Sequence, residues 1–228
     1  MWFLPTRNRP QACEELIRAM IAAGDVPDVA VMLDGPAYQI EWPAHWHIHV
    51  ADEHLEFQRA LNALLKAHPH EPTYGILTDH CRPETEGWAE IMEERAGSGH
   101  MVLANDRKNR INPRNGMRRL TAATCYGGDL IRAIGWIWLD TVVHMYGDDA
   151  LEDIGHELNI IRYLPDVIVR DMLVREREIP IDANHKRMWN GRSYIGDDQR
   201  AYESWRAGAF QDLINRLSKY RCSRSSAS

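Results

Sequence analysis

The sequence predicts an α/β fold with a helical extension at its C-terminal end. Short apolar runs alternate with segments of helical apolar spacing, and the runs end at turn-forming or acidic residues. The length of 228 residues suits one large domain or a domain with an extension, and its content of 44% hydrophobic and 26% charged residues is ordinary for a globular protein.

Charge, cysteine content and hydropathy narrow the class of protein further. The net charge of -6 gives no global argument for binding nucleic acid or membranes. The four cysteines form no C-x-x-C pair, which argues against a structural zinc site or a disulfide framework. No apolar run approaches the roughly 20 residues of a membrane span. We therefore expect a cytoplasmic protein without a membrane span.

The first elements predict a strand–helix–strand unit. Trp2-Phe3-Leu4 is an apolar run ended by Pro5, and residues 14–21 have the spacing of an amphipathic helix. A second apolar run over residues 28–33 ends at Asp34-Gly35-Pro36. Both predicted strands therefore lead into polar loops.

Three histidines follow on the next predicted strand. His45, His47 and His49 alternate, so that they would share one face of a strand. Three imidazoles on one face suit a transition metal, although no carboxylate or cysteine completes an obvious ligand set. A polar strand face packed beneath aromatic neighbours is the alternative. A helix is predicted over residues 53–67.

The stretch from Tyr74 to Pro83 is the predicted centre of the protein. Its apolar run, residues 74–77, reads as a buried strand and is followed closely by Asp79 and His80. Ligands of α/β sheets bind just beyond the carboxyl ends of strands, which places this pair at a candidate active site. The alternative is that Asp79 caps a helix beginning near Pro83.

The middle of the chain carries a basic segment. After a predicted helix over residues 83–96 and a strand over residues 100–104, six of the 13 residues from Arg107 to Arg119 are basic. Its Pro, Gly and Asn residues predict a loop. Such a segment in an acidic chain suggests binding of phosphate or another polyanion, and a solvated surface is the alternative.

The second half predicts further short elements and a long final helix. An apolar strand covers residues 120–126, a short helix follows over residues 129–134, and Asp148 or Asp149 is placed to cap a helix over residues 150–158. A late strand covers residues 163–171. Residues 175–196 predict a loop or flap, residues 197–220 an amphipathic helix, and residues 221–228 a disordered tail.

Three known enzyme motifs are absent from the chain. It has no G-x-G-x-x-G of a dinucleotide-binding fold, no P-loop of an NTPase and no G-x-S-x-G nucleophile elbow. The order of its motifs instead resembles the GT-A type glycosyltransferases, in particular small family-2-like enzymes of phages and bacteria. The resemblance spans residues 1–182. It is carried by five places: Leu4–Pro10, Leu33–Gly35, Tyr74–His80, Asp129–Trp136 together with His144–Asp149, and Tyr163–Val169.

The resemblance implies a single GT-A-like domain over residues 1–182, with a mixed, mostly parallel sheet flanked by helices. Residues 183–220 would form a flap and C-terminal helix, and residues 221–228 a tail. The implied activity is that of a nucleotide-sugar-dependent glycosyltransferase, located in the host cytoplasm if a phage encodes it. The implied donor is a nucleotide-diphosphate sugar, with UDP as the expected nucleotide.

The resemblance also assigns site residues. Donor-binding residues are Thr6, Arg7, Asn8, Arg9, Asp34, Gly35 and Asp79. A divalent cation, Mn²⁺ or Mg²⁺, would be held by Asp79, Asp171 and His80. Asp149 or Asp148 would serve as the catalytic base of an inverting transfer.

Two departures from the family pattern leave open whether this protein binds a metal cation. The acidic pair of the family appears here as Asp79-His80-Cys81, and the late strand ends in Asp171 where the family often has histidine. These changes compensate each other if Asp and His both bind the metal. Alternatively, Arg7, Arg9 or the basic segment neutralises the diphosphate instead.

The acceptor and the competing functions stay open as well. The basic segment Arg107–Arg119 suggests DNA or another polyanion as partner, with a hydroxylated base in phage-type DNA as candidate acceptor. A glycan or a lipid-linked acceptor is the alternative. Trp136 and Trp138 would form either a stacking platform or part of the core. A nucleotidyltransferase on a related sheet and a binding protein with a degenerate site are the competing functions.

Overall fold

The computed structural model describes residues 1–97, 99–108, 119–120, 123–172 and 192–225, with 111, 181 and 186 as isolated positions. Eight strands are described: β1 (Trp2–Thr6), β2 (Val29–Leu33), β3 (His47–Val50), β4 (Thr73–Ile76), β5 (Cys81–Pro83), β6 (Met101–Asn105), β7 (Thr124–Gly127) and β8 (Ile161–Asp171). The helices of these ranges are α1 (Pro10–Ala22), α2 (Phe57–Ala67), α3 (Trp88–Ala96), α4 (Gly128–Ile134), α5 (Gly147–Glu157), α6 (Arg192–Ala207) and α7 (Ala209–Ser225).

The strands form a mixed sheet in the order β3-β2-β1-β4-β7-β6-β8-β5. Pairing is parallel from β3 to β4 and between β6 and β8, and antiparallel where β7 joins β4 and β6 and where β5 joins β8. This architecture confirms the predicted α/β fold with a mixed, mostly parallel sheet.

Strand direction collects the polar strand ends at one edge of the sheet. Parallel pairing puts the carboxyl ends of β1, β2 and β4 side by side. Because β7 runs antiparallel to β4 and β6, its first residue lies at this same edge, and the ends of β6 and β8 lie there too. We call this edge the carboxyl edge.

Helices cover both faces of the sheet, which explains why its central strands are continuously apolar. In β1, Trp2, Phe3 and Leu4 are all fully buried. Phe3 packs in a core with α2, α4, α5 and the C-terminal helices, whereas Trp2 and Leu4 face α1 and α3 on the other side. None of the helices in the described ranges is long and apolar enough to cross a membrane.

The helix predicted from Pro83 is wrong in its start. Cys81–Pro83 is strand β5, in which Pro83 pairs with Val169 of β8, and α3 begins only at Trp88. The carboxylate that caps α3 belongs to Asp25, whose Oδ2 accepts the N–H of Ala89 at 2.8 Å. The proposed capping role of Asp79 is therefore wrong as well.

Two further differences concern the histidines and the tail. Strand β3 begins at His47, and His45 instead lies 3.1 Å from the carbonyl oxygen of Val26. The rings of His47 and His49 pack against His68, with centroids 5.1 and 5.3 Å away. Helix α7 extends to Ser225, beyond the predicted end of the final helix, and residues 226–228 lie outside the described part of the chain.

Gly75 of β4 allows a close contact with the buried indole of Trp2. A Cβ atom there would lie 2.1 Å from Cε3 of Trp2. We expect Gly75→Ala to lower the free energy of unfolding by about 1–3 kcal/mol, because the buried indole has no space to move. Urea denaturation measures the change. Gly99→Ala is the control, since a Cβ atom there meets nothing within 4 Å; equal stability of both variants would contradict this packing.

Candidate active site

The carboxyl edge brings together the predicted donor-binding residues of three strands. The Thr6 hydroxyl at the end of β1 donates to Oδ2 of Asp79, which follows β4, at 2.8 Å. The N–H of Asp34, which follows β2, donates to the carbonyl of Thr6 at 3.0 Å. Residues far apart in sequence therefore form one cluster, because β2, β1 and β4 are neighbours in the sheet.

Asp79 is the centre of this cluster and is only 3% exposed. Its Oδ1 accepts from Nη1 of Arg9 at 3.1 Å and lies 3.2 Å from Nδ1 of His80. Burial alone would raise the pKa of Asp79, but the hydrogen bond from His80 and the charge of Arg9 outweigh it and lower the pKa below the usual value. Asp79 is therefore ionised at neutral pH, and its two oxygens are held by Thr6, Arg9 and His80.

His80 links this cluster to strand β8. Its Nε2 lies 3.3 Å from Oδ1 of Asp171, which is 1% exposed. The contact follows from the sheet, because Cys81 pairs with Asp171 and the N–H of Met172 donates to the carbonyl of His80. Asp79, His80 and Asp171, the three predicted metal ligands, are thus neighbours.

Their present arrangement differs from an open metal site. Each ring nitrogen of His80 faces a carboxylate, and Asp79 also binds Arg9. In the part of the chain that the structure describes, no group of three or more His, Cys, Asp or Glu side chains is arranged to hold a metal ion. The Arg9 guanidinium already contacts Oδ1 of Asp79 at 3.1 Å.

The backbone around Asp79 is fixed by Arg82, a residue that the sequence analysis did not single out. Its Nη1 donates to the carbonyl oxygens of Asp79 and Cys81 at 2.9 and 2.8 Å. Its guanidinium also pairs with Glu15 of α1. Arg82 therefore joins the segment after β4 to α1, the helix that follows residues 7–9, which we call the first loop.

Asp34 forms a second group at the same edge. Its Oδ1 accepts the N–H of Leu55 at 2.9 Å and lies 2.9 Å from Nδ1 of His54. Nη1 of Arg7 lies 3.7 Å from Oδ2 of Asp34, and Arg7 also contacts His54. The loop before α2 thus supplies partners for a residue predicted to bind the nucleotide.

Tyr38 and Gly35 lie against the first loop. The hydroxyl oxygen of Tyr38 accepts the N–H of Arg9 at 3.1 Å and lies 3.3 Å from the hydroxyl of Thr6. Asn8 and Gly35 face each other, with the Asn8 amide oxygen 3.3 Å from the position of a Cβ atom on Gly35. Tyr38 and His54 were missed because both lie in loops, where no hydrophobic period marks a side chain that turns inward.

The predicted catalytic pair lies in the first turn of α5. Asp149 is 7% exposed and accepts from Nη2 of Arg119 at 2.9 Å, and Oδ2 of Asp148 lies 3.7 Å from the same nitrogen. Nε of Arg119 lies 3.9 Å from Glu152, a fully buried carboxylate that the sequence analysis also missed. Arg119 precedes β7, whose first residue is at the carboxyl edge.

Only the two ends of the basic segment and the isolated position Ile111 are described. Arg107 donates to Oε2 of Glu84 from Nε at 3.0 Å and from Nη2 at 2.6 Å, and Arg119 pairs with the acidic residues of α5. Residues 109–110 and 112–118 lie outside the described residues, and so does most of the predicted flap. The predicted polyanion contact falls mainly on this part of the chain.

Both tryptophans of the predicted platform pack against aromatic side chains. The Trp138 ring lies 4.9 Å from Phe57, edge to face, and its Nε1 donates to the carbonyl of His144 at 3.3 Å. The Trp136 ring lies 6.1 Å from Trp205. These contacts agree with the core-packing alternative.

No model of a known protein family matches the sequence, and no curated protein matches it. Solved structures do. The mannosyltransferase PcManGT from Pyrobaculum calidifontis, solved with GDP-Man and Mn²⁺, is 13% identical with a TM-score of 0.56, and the match covers 100% of this chain and 75% of that one. S. aureus TarS 1-349 is 12% identical with a TM-score of 0.55, covering 97% and 91%.

A third similar structure is that of GalNAc-T7 with UDP, GalNAc and Mn²⁺, at 9% identity and a TM-score of 0.54 over 75% of this chain and 43% of that one. The chain spans about a third (35%) of another solved TarS chain. At these identities the likeness shows the fold. The chain has the GT-A type fold of glycosyltransferases, as the order of its motifs predicts.

Asp79→Asn tests the central ion pair. The substitution removes the charge that holds Arg9 and His80, and we expect the free energy of unfolding at pH 7 to fall by roughly 1–3 kcal/mol. Because the folded pKa of Asp79 is lowered, this contribution is present above the unfolded pKa of about 3.8 and is lost as pH falls below it. Wild type and variant should therefore converge in acid.

Urea denaturation between pH 7 and pH 3 measures the difference at each pH. Asp52→Asn, at an exposed position, is the control and should leave the free energy of unfolding unchanged. A constant difference between wild type and Asp79→Asn across this range would contradict the ion pair.

Proposed function

We propose that this protein transfers a sugar from a nucleotide-diphosphate sugar to the hydroxyl group of an acceptor. One observation carries the proposal: the predicted donor-binding residues, including Thr6, Arg9, Asp34 and Asp79, meet at the carboxyl edge of a GT-A type sheet. This is the edge at which α/β sheets bind their ligands. Similar solved structures carry GDP-Man, UDP or UDP-GlcNAc.

The donor would lie between the first loop and the end of β2. Asp34 is the candidate hydrogen-bond acceptor for the base or the ribose, because it follows β2 beside the first loop. Arg7 and Arg9 would face the diphosphate, since a guanidinium binds phosphate oxygens through paired N–H groups. A uridine nucleotide is our proposed donor.

Asp148 and Asp149, which we call the acidic pair of α5, would act on the acceptor. In an inverting transfer, the acceptor oxygen forms a bond to the anomeric carbon while the bond from that carbon to the β-phosphate oxygen breaks. The acceptor proton passes to a carboxylate, for which we propose Asp149 with Asp148 as its neighbour. The bonding electrons leave with the nucleoside diphosphate. Arg119 orients Asp149 through the contact at 2.9 Å.

A divalent cation matches the chemistry of Asp79, His80 and Asp171 but not their present placement. Carboxylates and imidazole are ligands of Mn²⁺. However, Thr6 and Arg9 already bind Asp79, and His80 stands between the two carboxylates. A cation at Asp79 would have to replace Arg9, so we assign the charge facing the diphosphate to the arginines of the first loop.

Nucleotide binding tests the function. We expect UDP or GDP to raise the melting temperature, because a ligand at 100 times its Kd stabilises a protein by about 2.7 kcal/mol. The increase should persist in EDTA, since Arg9 already neutralises Asp79. Arg9→Gln should reduce it, whereas Arg95→Gln, at an exposed position of α3, should not. Calorimetric titration gives the affinities.

The failure of every nucleotide and nucleotide sugar to bind, with Mn²⁺ or with EDTA, would contradict the proposed function. Binding that requires Mn²⁺ would contradict the assignment of the charge facing the diphosphate to the arginines of the first loop. Release of pyrophosphate instead of a nucleoside diphosphate during turnover would identify a nucleotidyltransferase.

We further propose a polyanionic acceptor, with a hydroxylated base of phage-type DNA as the specific candidate. The support is the six basic residues among the 13 of Arg107–Arg119, in a chain of net charge -6. Arg119, at one end of this segment, contacts Asp149, the carboxylate that we propose accepts the acceptor proton. A bound polyanion would therefore lie next to the catalytic pair.

Salt dependence tests the acceptor. Binding of a fluorescent DNA duplex should weaken steeply between 50 and 200 mM salt, because each neutralised phosphate releases counterions. Arg107→Gln, at the segment's other end, should reduce the slope, and Arg95→Gln should leave it unchanged. Salt-independent binding, or no binding, would favour a neutral glycan or a lipid-linked acceptor.

A further inference from the structure

The turn before the acidic pair has an unfavourable backbone conformation. Tyr146 has φ of 66° and ψ of 2°, a left-handed backbone conformation that residues other than glycine rarely adopt. A Cβ atom on the next residue, Gly147, would lie 2.0 Å from Nε1 of Trp138. Asp148 and Asp149 follow directly. A conformation of this kind costs about 1 kcal/mol or more and persists only where surrounding contacts stabilise it.

A buried carboxylate of helix α6 supplies the main contact. Asp198 is 1% exposed, and its Oδ1 accepts the N–H of Val143 at 2.7 Å. Its Oδ2 accepts the N–H groups of His144 and Met145 at 2.9 and 2.8 Å. Three consecutive backbone donors therefore converge on one charged side chain. Such charge-assisted hydrogen bonds are stronger than neutral ones.

Helix α6 also contacts Tyr146 of the turn and Asp153 of α5. The ring of Tyr202 stacks on Tyr146 with a centroid distance of 5.4 Å and an interplanar angle of 18°. The hydroxyl of Tyr202 donates to Asp153 of α5, and Nε of Arg206 lies 3.0 Å from the same carboxylate. The turn and the helix that carries the acidic pair are thus bound to the same face of α6.

We infer that α6 positions the acidic pair for catalysis and that Asp198 is its main positioning residue. The inference rests on the proposed function, in which Asp149 accepts the proton of the acceptor. Asp198 bonds only to the backbone of residues 143–145 among the contacts described here, so it acts through the turn. Loosening those bonds would let Tyr146 leave its left-handed conformation and rotate the first turn of α5.

An asparagine cannot replace Asp198 in this role. The amide would keep one oxygen as acceptor, while its NH₂ group would face at least one of the three backbone donors. We therefore expect Asp198→Asn to lower kcat by about 10- to 100-fold, the effect of moving a catalytic group by about 1 Å. The KM for the donor should stay within about twofold, because the donor cluster around Asp79 lies on other elements.

The experiment compares Asp198→Asn with Asp197→Asn, whose carboxylate is 65% exposed and pairs with Arg200 on the surface. Turnover of UDP-GlcNAc and GDP-mannose is followed by release of the nucleoside diphosphate, with water as acceptor. Hydrogen exchange of the amides of residues 143–149 is measured on the same samples. We expect faster exchange and a selective loss of kcat in Asp198→Asn, and wild-type behaviour in Asp197→Asn.

Faster exchange with unchanged kcat would overturn the inference, because Asp198 would then serve stability alone. A parallel rise in the donor KM would overturn it too. If Asp198→Asn does not fold, Tyr202→Phe takes its place, since it retains the ring stacked on Tyr146 and loses the hydroxyl that bonds to Asp153; it should lower kcat with an unchanged KM. Wild-type protein that neither binds nor turns over a nucleotide sugar would instead contradict the proposed function.

Discussion

The buried charge of Asp79 is the constraint on which the site depends. An isolated carboxylate in this position would cost several kcal/mol, so it must be paired and hydrogen-bonded. Its partners are Thr6 at the end of β1, Arg9 of the first loop and His80 of its own loop. His80 continues the network to Asp171 of β8. Satisfying one charge therefore aligns the ends of β1, β4 and β8.

The same pairing bears on the chemistry of the donor. Other carboxylates at this edge also have a cationic or imidazole partner: Asp34 lies beside Arg7 and His54, and Asp149 binds Arg119. In the proposed function, such pairs would keep the guanidinium groups oriented before the donor phosphate binds, which would lower the cost of ordering them. The proposed role of α6 is similar. There, Asp198 accepts backbone N–H groups and would keep Asp148 and Asp149 oriented before the acceptor binds.

Local patterns predicted the central elements well, for physical reasons that differ from element to element. Strands β1, β2 and β4 are recognisable because helices bury both of their faces, which requires continuous apolar runs. The predicted start of α3 at Pro83 was wrong because proline suits both the first turn of a helix and a short edge strand. Pairing of Pro83 with Val169 decided between them, and Val169 is distant in sequence.

The sequence by itself determined the α/β class and the central strands β1, β2 and β4, because burial period and turn chemistry are written in neighbouring residues. Its resemblance to the GT-A type glycosyltransferases indicated the candidate residues Asp34, Asp79 and Asp149. Only the tertiary structure decided the partners of those residues. Arg9 meets Asp79, and Asp198 meets the turn at residues 143–145, across long separations in the chain. Hydrogen bonds of this kind depend on which strands and helices become neighbours, and no local pattern contains that information.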